Sequence, residues 1–348
     1  MRWWTVIVLG TPCFWAQQSA GAQEPNREQA FADVFAAVLA GENPDGGNWE
    51  DAGAYLEAGT DRAIPPQPAI ERALQPAINR YRVLIVSGFL SGCALTPASS
   101  SSVFKLAQEH LQSEHGVDVA VLQVPNDSCE SNGKLIAKYL RQHARDGKQY
   151  IVIGYSKGAA DLEVALLDRS AASVVGAFIS IAGAVRGSPL ADLPVGTALV
   201  RKLEESLGCM AQLGPALQSL SGDERRAFVA SHPHPSVPSY SLVAASGLSN
   251  TSRALRATWW LLGAGLQPED GALVAADEVL PGAKFLGVAR ADHVAIAQDF
   301  QRTALAKLFD KSHFPRTAML EALLRFVIAD LEGASAPQNG SPQQLPVP

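Results

Sequence analysis

From Tyr81 onward the chain alternates between two kinds of segment, and this alternation limits its architecture more than any other feature. "RVLIVSG", "VDVAVLQVP", "QYIVIGYS" and "VVGAFISIAG" are continuous apolar runs that stop at glycine, proline or serine. Between them lie "VFKLAQEHLQSEHG", "KLIAKYLRQHARDG" and "AADLEVALLDRS", whose apolar residues recur at helical spacing; Leu135, Ile136, Tyr139 and Leu140 share one face. A strand that is apolar on both sides must be covered on both faces. Parallel neighbours must also be joined by long crossovers, which helices of this length provide. The pattern predicts an α/β fold with a mostly parallel central sheet flanked by helices.

The alternation breaks between about 186 and 237. There "VGTALVRKLEESLGCM", "GPALQSL" and "SGDERRAFVASH" read as a helical insertion, with Ser221 and Glu224 spaced as a capping box. Strand "SYSLVAAS" follows, then the helical "SRALRATWWLLGAG", the loop "QPEDG", strand "AKFLGVA" and the loop "RADH". Two helices, over 294–310 and 315–331, are predicted to close the domain, which spans 81–332. Before it, 23–80 reads as a helical N-terminal extension built on "REQAFADVFAAVLAG" and "AIERALQPAINRY". After it, the Pro/Gln/Gly-rich tail 333–348 lacks the apolar content to fold and is expected to be disordered.

The first 22 residues combine Arg2, a short apolar stretch and the small residues Ala20-Gly21-Ala22, the layout of a secretory signal cut after Ala22. The expected location is therefore secreted or periplasmic. Cleavage would remove Cys13 and leave Cys93, Cys129 and Cys209, enough for one disulfide and one spare thiol. None has CxxC spacing, which argues against a cysteine metal site. A hydrophobic content of 47% with 18% charged residues describes a globular chain. The net charge of -6 and the lack of any Lys/Arg block argue against nucleic acid as a partner.

Chemistry concentrates at "GYSKG". Gly154-Tyr155-Ser156-Lys157-Gly158 fits G-x-S-x-G, with a strand before it and a helix after it. In that context the serine occupies a strained strand-to-helix turn that exposes its Oγ, and glycine is needed on either side because the turn crowds its neighbours. A hydroxyl needs a general base to act as a nucleophile near neutral pH. The chain has seven histidines. His110, His115 and His143 belong to crossover helices, His232 and His234 to the insertion, and His313 lies between the closing helices. His293 alone follows a late strand directly, at the C-terminal sheet edge where Ser156 also emerges and where sites in open parallel sheets form. The base needs a carboxylate to fix its tautomer. Asp270 in "QPEDGALV" is the preferred candidate, with Glu269, Asp277 and Asp192 as rivals; Asp292 suits a local loop role.

These pieces together resemble an α/β-hydrolase over about 80–332, similar to secreted bacterial lipases and esterases. "VLIVSGF" matches the first strand and oxyanion loop, "GYSKG" the nucleophile elbow, and "GSPLAD" the segment after the next strand. "EDGALV" matches the acid loop and "ADHVAIA" the histidine loop. The resemblance implies a catalytic triad of Ser156, Asp270 and His293. It implies an oxyanion hole formed by the backbone N–H groups of Phe89 and Lys157, with Leu90 in place of Phe89 if the loop is shifted by one. The insertion would cap the acyl pocket, through residues such as Leu199, Val200, Leu203 and Leu207. Consecutive strands are neighbours in this family's sheet, so Cys93 and Cys129, each just past a strand end, are expected to pair, leaving Cys209 free. Two positions depart from the pattern. Ser87-Gly88 stands where lipases usually have His-Gly, and Lys157 stands where Gln, His or a hydrophobe is usual.

The implied activity is hydrolysis of carboxylic esters through an acyl-enzyme, on a small-molecule or lipid ester, with no metal or organic cofactor required. Transient contact with a lipid surface is compatible with it. Two alternatives share the motif: cleavage of another acyl bond (amide, thioester or polyester), or a silent hydrolase fold that binds through the "SSSS" loop at 99–102 or the N-terminal extension.

Overall fold

The computed structural model describes residues 27–41, 43–45, 49, 51–57, 74, 79–89, 103–144, 146–193, 213–263, 265–301, 303, 305–311 and 313–335. The expected leader, most of "AIERALQPAINRY", Leu90, Cys93, the "SSSS" loop, Leu199, Val200, Leu203, Leu207, Cys209 and residues 336–348 of the expected tail lie outside them, whereas Gly333, Ala334 and Ser335, expected to be disordered, instead end the last helix. Helix α1 (Arg27–Gly41) and strand β1 (Leu56–Glu57) come first. The βαβ units follow: β2 (Tyr81–Val86), α2 (Lys105–Ser113), β3 (Val119–Leu122), α3 (Cys129–His143), β4 (Gln149–Tyr155), α4 (Lys157–Ala165), α5 (Arg169–Ala172) and β5 (Val175–Ile181). Helices α6 (Leu213–Ser219) and α7 (Gly222–Ser231) interrupt the alternation. Then come β6 (Ser239–Ala244), α8 (Arg256–Leu262), α9 (Ala275–Glu278), β7 (Lys284–Ala289) and α10 (Arg316–Ser335).

The strands form one seven-stranded sheet in the order β1-β7-β6-β5-β4-β2-β3. Pairings from β3 across to β7 are parallel, with Val86 opposite Gly154 and Tyr155 opposite Ile181. Alternate residues of each apolar run enter opposite cores, which is why the runs are continuous. Val83, Ile85, Ile151, Ile153 and Ile179 face α1, α2 and α10. Leu84, Val86, Val152 and Phe178 face α3 and α4. On α1, Phe31, Val34, Phe35, Val38 and Leu39 make the buried stripe. Phe31 meets Phe326 of α10 edge-on at 5.8 Å between ring centroids.

Two further local features differ from the sequence expectation. Strand β1 has no signature in the sequence, since two residues cannot show a period. It pairs antiparallel with β7, Leu56 opposite Ala289, where Gly287 at φ +118° lets the edge close in. The expected helix over 294–310 does not form; its described residues make successive turns. Asp292 Oδ1 accepts from the Val294 and Ala295 N–H groups, Asp299 Oδ1 from Gln301 N, and Thr303 Oγ1 from Leu305 N. Such side-chain acceptors compete with the helical ladder and break the segment into caps.

Candidate active site

The elbow is built by steric exclusion. Ser156 sits between β4 and α4 at φ 55°, ψ −126°, a conformation that costs a non-glycine residue about 1–3 kcal/mol. Its N–H donates to Ile181 O at 3.2 Å, and its carbonyl accepts from Ala184 N at 3.0 Å and Ala159 N at 3.1 Å. A Cβ on Gly154 would stand 2.5 Å from Ala159 Cα, and one on Gly158 would stand 2.3 Å from Val86 O. Both clashes are with backbone, so no side-chain motion relieves them. Gly88, after β2, is equally constrained: its Cβ would lie 2.8 Å from Ser156 Cβ and 3.3 Å from Oγ. The loop carrying Phe89 therefore runs beside Ser156, and Lys157 opens α4, where first-turn N–H groups have no acceptor within the helix.

Ser156 Oγ lies 2.8 Å from His293 Nε2, and His293 Nδ1 lies 2.5 Å from Asp270 Oδ2. The second Asp270 oxygen accepts from Ala272 N (2.9 Å) and Leu273 N (2.7 Å), across a turn that Gly271 makes at φ +91°. His293 N donates to Asp270 O at 2.8 Å, tying the acid and histidine loops together through backbone as well. Asp270 is fully buried, and Ser156 and His293 are nearly so. The carboxylates of Asp192, Asp292 and Glu269 are engaged elsewhere. Asp192 Oδ1 accepts from Gly222 N at the start of α7. Asp292 is held by Ser252, Val294 and Ala295 N–H groups. Glu269 accepts from Gly271 N, while Asp277 lies in α9 and its backbone carbonyl accepts from Arg186 N.

Tyr155 is a partner that the sequence reading passed over, although it directly precedes the serine. Its ring stacks on His293 at 5.3 Å between centroids, and its OH donates to His293 O at 2.5 Å. Burial, followed by the charges of Asp270, Asp292 and Glu278, pushes the Tyr155 pKa well above that of an ordinary phenol and keeps it a donor. Around Asp270 the other acids are also shifted upward. Glu278 is raised well above the usual range, first by burial and then by the Asp270 charge. Burial raises Glu269 to about 7, the Gly271 N–H opposing and Asp270 adding to it.

Because the folded pKa of Glu269 lies above its ordinary 4.5, its contribution to stability is complete below 4.5 and is lost as pH rises through about 7. Glu269→Gln is therefore expected to destabilise less at pH 8 than at pH 4. Urea unfolding of both proteins at the two pH values checks this, and equal differences at both would contradict it.

The position of Lys157 in the elbow is explained by what lies behind it. Its side chain turns inward and is buried, with Nζ 2.5 Å from Asp161 Oδ1 one helical turn on. Asn132 Nδ2 donates to Asp161 Oδ2 at 2.9 Å. Burial raises the Asp161 pKa and Lys157 opposes it. Asp161→Ala would leave a buried ammonium without its counter-charge, at a cost of about 3–5 kcal/mol. Lys157→Met combined with Asp161→Leu should recover most of that loss, as read by denaturant midpoints.

The Cys93–Cys129 bridge is not supported. Cys129 is a free, buried thiol at the start of α3, and Cys93 lies outside the described residues. The Cys129 side chain faces α6, with Ser219 Oγ at 3.4 Å and Ser219 O at 3.8 Å. Burial and the Asp161 charge push the thiol up to about 11, which makes it inert. Cys129, Ala160, Ala184, Leu220 and Leu273 form a small core that seats the end of α6 over the elbow helix and the acid loop. Here Ser221 caps α7 by accepting from Glu224 N at 3.3 Å.

A mostly parallel sheet with a serine in a sharp turn after β4, a buried aspartate after β6 and a histidine after β7 is the layout of the α/β-hydrolase fold, and the chain has that fold. It superposes on the metagenomic carboxyl esterase MGS0156 with a TM-score of 0.71 at 27% identity, covering 90% of this chain and 97% of that one. The mature Bacillus licheniformis lipase BlEst2 matches with a TM-score of 0.52 at 20% identity, over 76% of this chain and 96% of the lipase, a likeness of fold alone. No family model matches the sequence, and no curated protein matches it.

Proposed function

We propose that the protein is a serine ester hydrolase acting through Ser156, His293 and Asp270. The observation that carries this reading is the continuous relay from Asp270 Oδ2 through both nitrogens of His293 to Ser156 Oγ. Ser156 Oγ attacks the acyl carbonyl while its proton passes to His293 Nε2, and Asp270 stabilises the imidazolium. The tetrahedral oxyanion is held by the Phe89 and Lys157 backbone N–H groups. His293 then protonates the departing alcohol as the carbon–oxygen bond breaks, leaving an acyl-enzyme. Water, deprotonated by His293, attacks the acyl group and releases the acid with Ser156 restored.

The structural likeness to an esterase supports a carboxylic ester as substrate. Labelling by a fluorophosphonate, followed by turnover of p-nitrophenyl esters of increasing acyl length, tests the reading. A protein that takes no label and turns over no ester would be a binding module, and one active only on thioesters or amides would need a different acyl bond. Contact with a lipid surface is supported by α8, whose Trp260 is 60% exposed beside Leu261, while Leu266 just beyond is 92% exposed. Thr258 of the same helix donates to Gly271 O next to the acid. Sedimentation with phosphatidylglycerol vesicles, lost in Trp260→Ser, is the expected result, and a protein that never sediments would remove this part. Export with loss of residues 1–22 belongs to the same reading, and N-terminal sequencing of the exported protein checks it.

A further inference from the structure

On the opposite sheet face from α4, three side chains converge that the ester chemistry does not use. His110 on α2, His115 in the turn after it and Glu321 on α10 each bring one ligand atom within 4.8 Å of the others. Glu321 Oε2 is 2.9 Å from His110 Nε2 and 3.4 Å from His115 Nε2. The other oxygen, Oε1, is taken by Arg325 through Nε at 2.7 Å and a second guanidinium nitrogen at 2.6 Å. The carboxylate is therefore oriented by one group and offers its remaining oxygen to two imidazoles. Arg325 already balances the Glu321 charge, so the pair of histidines is not needed as a counter-ion.

We propose that His110, His115 and Glu321 form a binding site for a divalent transition-metal ion, with Zn²⁺ the best match, that clamps α2 to α10. Two imidazoles and one carboxylate oxygen are a zinc donor set, and water fills the fourth position. Ligand atoms at about 2.0–2.1 Å from zinc in a tetrahedron stand about 3.3 Å apart, close to the nitrogen–oxygen separations found here. Hydrogen bonding of a ligating carboxylate by an outer group, as by Arg325, is the usual way such a ligand is held. The imidazole side chains are 16% and 12% exposed, against 0% for Glu321, so an ion can enter from the histidine side. The two helices pack directly on each other, and both abut the core that holds α1. The site is remote in function from the serine, and its failure would leave the ester reading untouched.

The test uses the full chain, dialysed against a chelator, titrated calorimetrically with Zn²⁺ and then melted with and without the ion. One equivalent should bind, the unfolding temperature should rise, and Co²⁺ should give the visible absorption of a four-coordinate ion. His110→Ala and His115→Ala leave the Glu321–Arg325 pair intact. Each should weaken binding by more than the roughly 10–100-fold that loss of an outer partner costs. His232→Ala should change nothing, and ester turnover of the metal-free protein should be the same in all. Absence of saturable binding, or binding undiminished in both histidine variants, would overturn the site. Binding with no rise in unfolding temperature would overturn the clamp.

Discussion

Ser156→Ala is expected to abolish fluorophosphonate labelling and to lower kcat by about six orders of magnitude, the scale seen when a triad serine is removed. Folding should hardly change, because among the described residues the Ser156 side chain bonds only His293 Nε2, and the turn is pinned by backbone contacts to Ile181, Ala159 and Ala184. Ser156→Gly adds a second arm. It loses the same activity but relieves the positive φ, so it should be more stable than Ser156→Ala by about 1 kcal/mol. Retained labelling in either variant would move the nucleophile elsewhere. Equal stability of the two would show that the turn stores no strain.

Asp270→Asn is expected to cost about 10⁴ in kcat with little effect on KM, since the amide can present N–H to His293 Nδ1 and favour the wrong tautomer. The neighbouring acids are not placed to substitute. Both Asp292 oxygens accept backbone N–H groups, and Glu278 accepts from Ala244 N at the end of β6. Asp192→Asn should leave kcat within a few-fold and instead loosen the start of α7, where Asp192 accepts from Gly222 N. Unchanged turnover in Asp270→Asn, with collapse in Asp192→Asn, would move the acid to the segment after β5. The two variants need only steady-state kinetics and a thermal melt to be told apart.

The local rules were legible wherever their cause lies within a few residues. Continuous apolar runs must be covered on both faces, so the parallel sheet could be read from "QYIVIGYS" and its companions. Glycines two before and two after Ser156 could be read as room for a sharp turn, and the structure puts backbone atoms in the space their side chains would take. Ser221 as a helix cap was equally readable, because a cap is satisfied by its own next turn. The failed helix over 294–310 is the counter-case: its apolar spacing was helical, yet Asp292, Asp299 and Thr303 bond their own backbone first.

What only the tertiary structure decided are contacts between residues far apart in the chain. Several carboxylates lie close before His293, and composition cannot say which one faces its ring. The turn at Gly271 and the bond from His293 N to Asp270 O place Asp270 there. Lys157 could have pointed into the pocket; the buried carboxylate of Asp161, itself fixed by Asn132 from α3, draws it behind the elbow. Cys129 could have met another loop, but α6 arrives to cover it. Strand β1 exists because Gly287 leaves space on the edge of β7. The sequence determines which segments become strands, helices and sharp turns, since those follow from apolar periodicity and steric exclusion along the chain. Which side chains finally meet is set by the packing of loops from opposite ends of it, because a buried charge or thiol takes whichever partner the assembled core brings within reach.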